Sequence, residues 1–355
     1  LRRNLAKAFL VLIIIIPIVL INRVKLAHLP LYLSNTKYTD VIDAMFEVKY
    51  TGSEAKSTLN YLKEKKKIND NTDDYILKLY DKGYNKNTID YLIRNLNKSQ
   101  ITDFLDKKYS KDFEEYIKLD LFKYSKYNRY IKYQEKHKDL SLEDVVIRIE
   151  LNMDKTYYED SEFIKNPDEI TTLANKYYEI PEDYEPKDLV DMEDDYANNM
   201  YGTLTLRKEA YEKFKEMCNA SRKDGVKFYA ESAYRGYNYQ NIIYKNYIDE
   251  NGQEKADKYA ARPGFSEHEL GLALDLANIW TITTKGEEYK WLTKNAYKYG
   301  YIIRYKKEWE DITGYSAESW HIRYVGVKAA SIIQKENITY EEYYAKYILT
   351  KKSSK

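Results

Sequence analysis

The 355-residue chain carries 58 basic and 57 acidic residues, a formal net charge of +1 that excludes a strongly basic nucleic-acid binder. Its single cysteine, Cys218, excludes both an intramolecular disulfide framework and a cysteine-type zinc site. No RNP, zinc-finger or Walker pattern is present, and the length suits one sizeable catalytic domain with a smaller companion.

The first predicted element is an unbroken apolar run over residues 8–21, preceded by Arg2, Arg3 and Lys7. A helix there is about 21 Å long at about 1.5 Å per residue, short of a hydrocarbon core of about 30 Å. Snorkelling by Lys7 and Arg23, with local thinning, closes the gap. The run also has the length of a signal-peptide apolar region, yet Asn22-Arg23-Val24-Lys25 offers no small-residue cleavage pattern and no lipobox cysteine follows. The expectation is an uncleaved signal anchor over residues 1–30, with the N-terminus inside and the bulk outside a cell membrane. Arg23 and Lys25 lower the positive-inside contrast, and cleavage would make the protein secreted.

Residues 31–140 are predicted as a small helical region. Ile76, Leu79 and Tyr80, then Ile89, Leu92, Ile93 and Leu96, then Ile101, Phe104 and Leu105 fall at helical spacings. Gly83 fits a helix C-terminus and Ser99 an N-cap. A longer amphipathic stretch follows through Phe113, Tyr116, Ile117, Leu121 and Tyr124. Two readings stand: a spacer or wall-facing module, and a packing domain with a solvated lysine face. His28 and His137 are isolated, exposed or structural.

The third region, 141–355, opens with an acidic lead-in over 141–200. Val145–Ile149 reads as a strand, and residues 151–200 hold 15 acidic residues against four lysines. This composition predicts an extended, solvated segment laid over the domain that follows, with no EF-hand spacing for calcium. Beyond it the pattern gives a helix over 205–222, a strand over 226–232 and a helix to about Ile248. Further strands are expected at 271–277, 301–305 and 320–324, and helices at 287–299, 326–335 and 339–349. Strands interspersed with helices, without a regular βαβ rhythm, indicate an α+β fold. Cys218 shares an apolar helical stripe with Tyr211 and Phe214 and is expected in the core.

Two of the chain's four histidines, His268 and His321, lie in the segments Pro263–Asp275 and Glu318–His321, each with a carboxylate at a fixed offset. His268, Asp275 and His321 make up the ligand set of a hydrolytic zinc site with one position open. His268 and Asp275 are seven apart, so on one flat strand they would face opposite sides; a turn at Glu269–Gly271 must bring them together. Glu318 is placed as a general base, with a role as metal ligand the competing assignment.

At these residues the sequence resembles the VanY-type D-alanyl-D-alanine carboxypeptidases, which include the LdcB-type L,D-carboxypeptidases. The matching elements are SAYRGYNYQ (232–240), PGFSEHELGLALD (263–275), YGYIIRY (299–305) and ITGYSAESWHIRYVG (312–326), in the family's order and spacing. The resemblance covers roughly residues 141–350. It implies a Hedgehog/DD-peptidase-like α+β catalytic domain with one zinc ion held by His268, Asp275 and His321, and Glu318 as general base and acid. It also implies substrate contact by Arg235, Gln240 and Ser266. A guanidinium suits the terminal carboxylate of a D-residue; polarising the scissile carbonyl is the other role open to Arg235. Lys306 and Ser319 stand where the family often has proline, which bears on loop rigidity or specificity.

The activity implied is hydrolysis of the terminal D-alanyl-D-alanine bond of peptidoglycan stem peptides. Alternatives are an L,D-carboxypeptidase or an endopeptidase on stem peptides. A third is a non-catalytic cell-wall-binding protein with a vestigial site, which the intact set of four residues opposes.

Overall fold

The computed structural model describes residues 23–200, 202–277 and 286–350. The apolar run expected as a membrane anchor lies outside them, and among the described residues no helix is long and apolar enough to cross a membrane. The chain divides into two compact units, one ending at Tyr124 and the other beginning at Ser125.

The first unit is helical. Thr39–Glu47, Gly52–Glu64, Thr72–Asp81, Lys86–Asn95 and Lys98–Asp106 bury Ile42, Met45, Leu59, Ile76, Leu79, Ile89 and Leu92 against one another. Each such side chain contributes about 1.5–3 kcal/mol by leaving water. Local chemistry sets the starts. Thr51 and Glu54 form a capping box, as do Asn97 and Gln100. Asn97 rather than Ser99 caps its helix, because only Asn97 has a glutamine three residues on to return the hydrogen bond. His28 stacks on Phe46 with ring centroids 4.6 Å apart, a structural role.

In the second unit the expected strand at Val145–Ile149 is instead part of the helix Leu142–Glu150. Ser141 accepts the Asp144 N–H at 3.1 Å, and the acidic first turn suits the helix N-terminus. Val145, Val146, Ile147 and Ile149 are all buried in this helix, so packing overrides their β-branched preference. Tyr130, from the helix Tyr127–Lys136, donates to the buried Glu150 at 2.8 Å.

The acidic segment supplies short strands. Glu162–Phe163 (β1) pairs parallel to Tyr178–Glu179 (β2), and Leu189–Asp191 (β3) pairs antiparallel to Thr205–Arg207 (β4). The helix expected from 205 therefore begins only at Lys208 and runs to Lys223. The segment docks on the domain through buried Ile180, whose N–H donates to the Gly264 carbonyl at 2.6 Å. Its Lys176 is buried too, donating to the carbonyls of Asp257 (2.7 Å) and Gly314 (2.6 Å).

A four-stranded antiparallel sheet positions the site: Ala230–Ser232 (β5), Ala273–Leu276 (β6), Glu318–Tyr324 (β8) and Tyr301–Tyr305 (β7), in that order. Leu206, Phe214, Met217, Cys218, Leu274, Tyr301 and Ile322 form the core against the helix Lys208–Lys223. The short polar helix Gln253–Tyr259, absent from the sequence expectation, buries only Ala256. With helices segregated around one antiparallel sheet, this unit is α+β.

Candidate metal centre and cleft

The register of the sheet brings the site together. Asp275 on β6 pairs directly with His321 on β8, and Ser232 on β5 pairs with Asp275 from the other side. His268 is not on a strand. It sits in the 3-10 turn Glu267–Leu270, which ends at Gly271 with φ +63° and swings the chain into β6. A Cβ on Gly271 would lie 3.0 Å from both Arg207 Cγ and Leu189 Cδ2, so both conformation and space require glycine. The buried Glu269 fixes the turn, accepting the N–H groups of Gly264 (2.9 Å) and Ser266 (3.2 Å).

Glu318 and His321 are three apart and would face opposite sides of a regular strand. The β7–β8 register shifts between Ile303, which pairs with Ile322, and Tyr305, which pairs with Glu318. That irregularity brings Glu318 Oε2 to 3.7 Å from His321 Nδ1.

His268, Asp275 and His321 each offer a donor atom within 4.8 Å of the others. His268 Nδ1 lies 2.6 Å from the Ala233 carbonyl. A carbonyl only accepts, so Nδ1 carries the proton and Nε2 the free lone pair. Burial lowers the His268 pKa to about 4, keeping the ring neutral. Its Nε2 is buried, 3.3 Å from Asp275 Oδ2, and has no hydrogen-bond partner. His321 places Nδ1 3.1 Å from Asp275 Oδ1 and Nε2 3.4 Å from Glu267 Oε2. Burial alone would lower its pKa; hydrogen bonds to Asp275 and Glu267 outweigh that and raise it to about 9. Burial raises the Glu318 pKa to about 7, against the opposing charge of His321. An orphaned imidazole lone pair facing a carboxylate and a second imidazole fits a divalent cation of zinc type.

The cluster lies in a cleft of about 900 Å³, whose walls include Tyr234, Arg235, Tyr247, Tyr259 and Trp320. Arg235 Nη1 is 3.2 Å from Ser232 Oγ and 3.5 Å from Asp275 Oδ2, while its Nε is buried with no hydrogen-bond partner. Ser266 lines the cleft, its Oγ accepting the His268 N–H at 3.3 Å. Gln240 does so as well, donating Nε2 to the Ala261 carbonyl at 2.8 Å and leaving Oε1 buried without a partner.

Sequence reasoning assigned nothing to Glu267, although it lies between Ser266 and His268. It is fully buried, accepts from Arg304 Nε at 2.9 Å and lies 3.4 Å from Arg323 Nη1. Burial opposes its ionisation, but Arg304 and Arg323 hold its carboxyl well below the usual range.

Two imidazoles and one carboxylate converge in a cleft over an antiparallel sheet, a candidate metal centre in a unit of α+β class. Residues 203–327 match the VanY family of D-alanyl-D-alanine carboxypeptidases. The chain is 41% identical over 211 residues to YodJ of Bacillus subtilis, by its description a candidate carboxypeptidase; the match covers 56% of this chain and 77% of that protein. It is 37% identical over 177 residues to a D-alanyl-D-alanine carboxypeptidase of Enterococcus faecium, covering 48% of this chain and 56% of the relative. The solved structure of the LdcB LD-carboxypeptidase matches with a TM-score of 0.50 at 41% identity, over 54% of this chain and 92% of that one. The chain belongs to the VanY family.

Proposed function

We propose that this protein is a zinc-dependent carboxypeptidase that removes the terminal D-alanine from the D-alanyl-D-alanine end of peptidoglycan stem peptides. The observation that carries the reading is the convergence of buried His268 and His321 with half-buried Asp275, with Glu318 Oε2 3.7 Å from His321 Nδ1. His268 through Nε2, Asp275 through its carboxylate and His321 through Nδ1 would hold the ion. Zinc bound there supplies Lewis-acid polarisation of the scissile carbonyl and lowers the pKa of water to about 7.

This chain's residues do the rest. Glu318 takes the proton of the attacking water at its carboxylate and delivers it to the departing amine of the D-amino acid. Arg235 holds the substrate's terminal carboxylate, offering the guanidinium edge whose Nε has no partner. Ser266 and Gln240 flank the peptide, the latter through its unpaired Oε1.

A second reading, L,D-carboxypeptidase action on tetrapeptide stems, is favoured by the 41% identity to the LdcB LD-carboxypeptidase. Mass spectrometry of muropeptides after digestion, with zinc content measured on the same protein, tests both. Loss of one D-alanine from pentapeptide supports the first reading, and loss from tetrapeptide the second. No release by zinc-loaded protein refutes both. The placement we propose is outside the cell, tethered by residues 8–21 with the helical unit as spacer. Protease accessibility of the C-terminal part on intact cells tests it, and full protection would refute it.

A further inference from the structure

We infer that Glu267 is the positioning residue that presents His321 Nδ1 to the metal, its own carboxylate held by Arg304. The inference rests on the metal-site reading above and concerns how one ligand is aimed.

A free imidazole offers either nitrogen to a cation, and the partner of the second nitrogen decides which. His268 has its choice made by the Ala233 carbonyl at Nδ1. His321 is the reverse case. Its Nδ1 faces Asp275 Oδ1 at 3.1 Å and Glu318 Oε2 at 3.7 Å, toward the cleft, whereas Nε2 faces Glu267 Oε2 at 3.4 Å. Both nitrogens face carboxylates, which accept only; a cation shared with Asp275 would take the place of the proton at Nδ1, and Glu267 then holds the remaining proton on Nε2.

Glu267 is itself held from behind. Its Oε1 receives Arg304 Nε at 2.9 Å and lies 3.4 Å from Arg323 Nη1, which leaves Oε2 for the histidine. The two remaining Arg304 nitrogens donate to Glu341, Nη1 to Oε2 at 2.9 Å and Nη2 to Oε1 at 2.5 Å. Asn175 Nδ2 adds a contact to Glu341 at 3.4 Å. All four charged side chains of this chain of contacts are buried. Because Glu267 and His268 are neighbours in one 3-10 turn, a single turn supplies one ligand and the group that aims another. The Arg304–Glu341 pair ties that turn to the helix Tyr340–Tyr343, far along the sequence.

The test compares the full chain with Glu267→Gln and Glu341→Gln, measuring metal-free melting temperature and cobalt(II) and zinc(II) affinity by chelator competition. Glu267→Gln should weaken metal affinity by about 10–100-fold, the range for loss of a partner behind a ligating histidine, and change the cobalt(II) visible spectrum. Glu341→Gln leaves the Glu267–His321 contact in place and should lower the melting temperature while moving affinity by less than about threefold, small beside that range. Equal affinity and spectrum in Glu267→Gln and wild type would overturn the inference, as would equal affinity losses in the two variants. A second measurement needs no variant. In ¹⁵N-histidine, ¹¹³Cd-loaded wild type, His321 should couple to cadmium through Nδ1 and keep a proton on Nε2; coordination through Nε2 overturns the assignment. Wild-type protein that binds no divalent metal refutes the carboxypeptidase reading itself, a result distinct from either of these.

Discussion

Asp275 on β6 and His321 on β8 face each other across one rung of the sheet, with Oδ1 and Nδ1 3.1 Å apart. Backbone pairing therefore sets their separation, and such a pair is held more rigidly than one carried on loops. His268 is added from a turn closed by Ser266, Glu269 and Gly271. Glu318 is brought alongside by the irregular pairing at the start of β8.

Glu318 contributes no donor atom to the cluster of His268, Asp275 and His321. The substitution Glu318→Ala should thus leave stoichiometric zinc bound while release of D-alanine from stem peptide falls on the order of 10²–10⁴-fold, the usual range for a lost general base. Metal analysis and turnover on one preparation check this. Retained turnover would remove Glu318 from the mechanism. His268→Ala should differ by losing metal as well as activity.

Gly271 joins the His268 turn to β6 with φ +63°. Alanine there would adopt a strained backbone and press on Arg207 and Leu189, each 3.0 Å from the new Cβ. Gly271→Ala should cost about 1–3 kcal/mol in urea unfolding of the metal-free protein. An unchanged midpoint would show that the turn relaxes without strain.

The candidate cluster of His268, Asp275 and His321 was legible because histidine is rare in this chain and two of four copies stand near carboxylates. The α+β alternation and the exact span of β7, Tyr301–Tyr305, were legible from apolar patterning. What escaped depended on distant partners. Glu267 reads as an ordinary surface acid until Arg304 and Arg323 are seen to neutralise it in the interior. The three-residue offset of Glu318 and His321 makes sense only with the shifted β8 register, which no local pattern encodes. Val145–Ile149 misled because β-branched residues favour strands, while the Ser141 cap and the acidic first turn favour a helix.

Cys218 lies in the core beneath the sheet, and burial pushes its thiol from 9.0 to about 12. Native protein at pH 8 should therefore resist Ellman's reagent, with the thiol reacting fully in urea. The sign of the pH effect follows from linkage. Above pH 9 the unfolded thiol loses its proton while the folded one keeps it, so this contribution is complete below pH 9 and is lost toward pH 12. The loss is up to about 1.4 kcal/mol per pH unit within that window. Between pH 9 and 10, wild type should lose stability more steeply than Cys218→Ala in urea titrations. Parallel slopes would show that the thiol ionises equally in both states.

Arg235 approaches Asp275 at 3.5 Å through Nη1 and leaves Nε buried without a partner. A terminal carboxylate would complete that guanidinium edge with two parallel hydrogen bonds, which a lysine ammonium cannot reproduce. Arg235→Lys should accordingly raise KM about tenfold or more on stem peptide with a smaller change in kcat, because the contact is made equally in ground and transition states. Zinc content should stay at the wild-type value, since Arg235 lies outside the cluster of donor atoms. Amidation of the substrate's terminal carboxylate should weaken wild-type binding and leave the variant nearly indifferent. A fall in kcat at unchanged KM, with both enzymes equally sensitive to amidation, would assign Arg235 to polarising the scissile carbonyl instead.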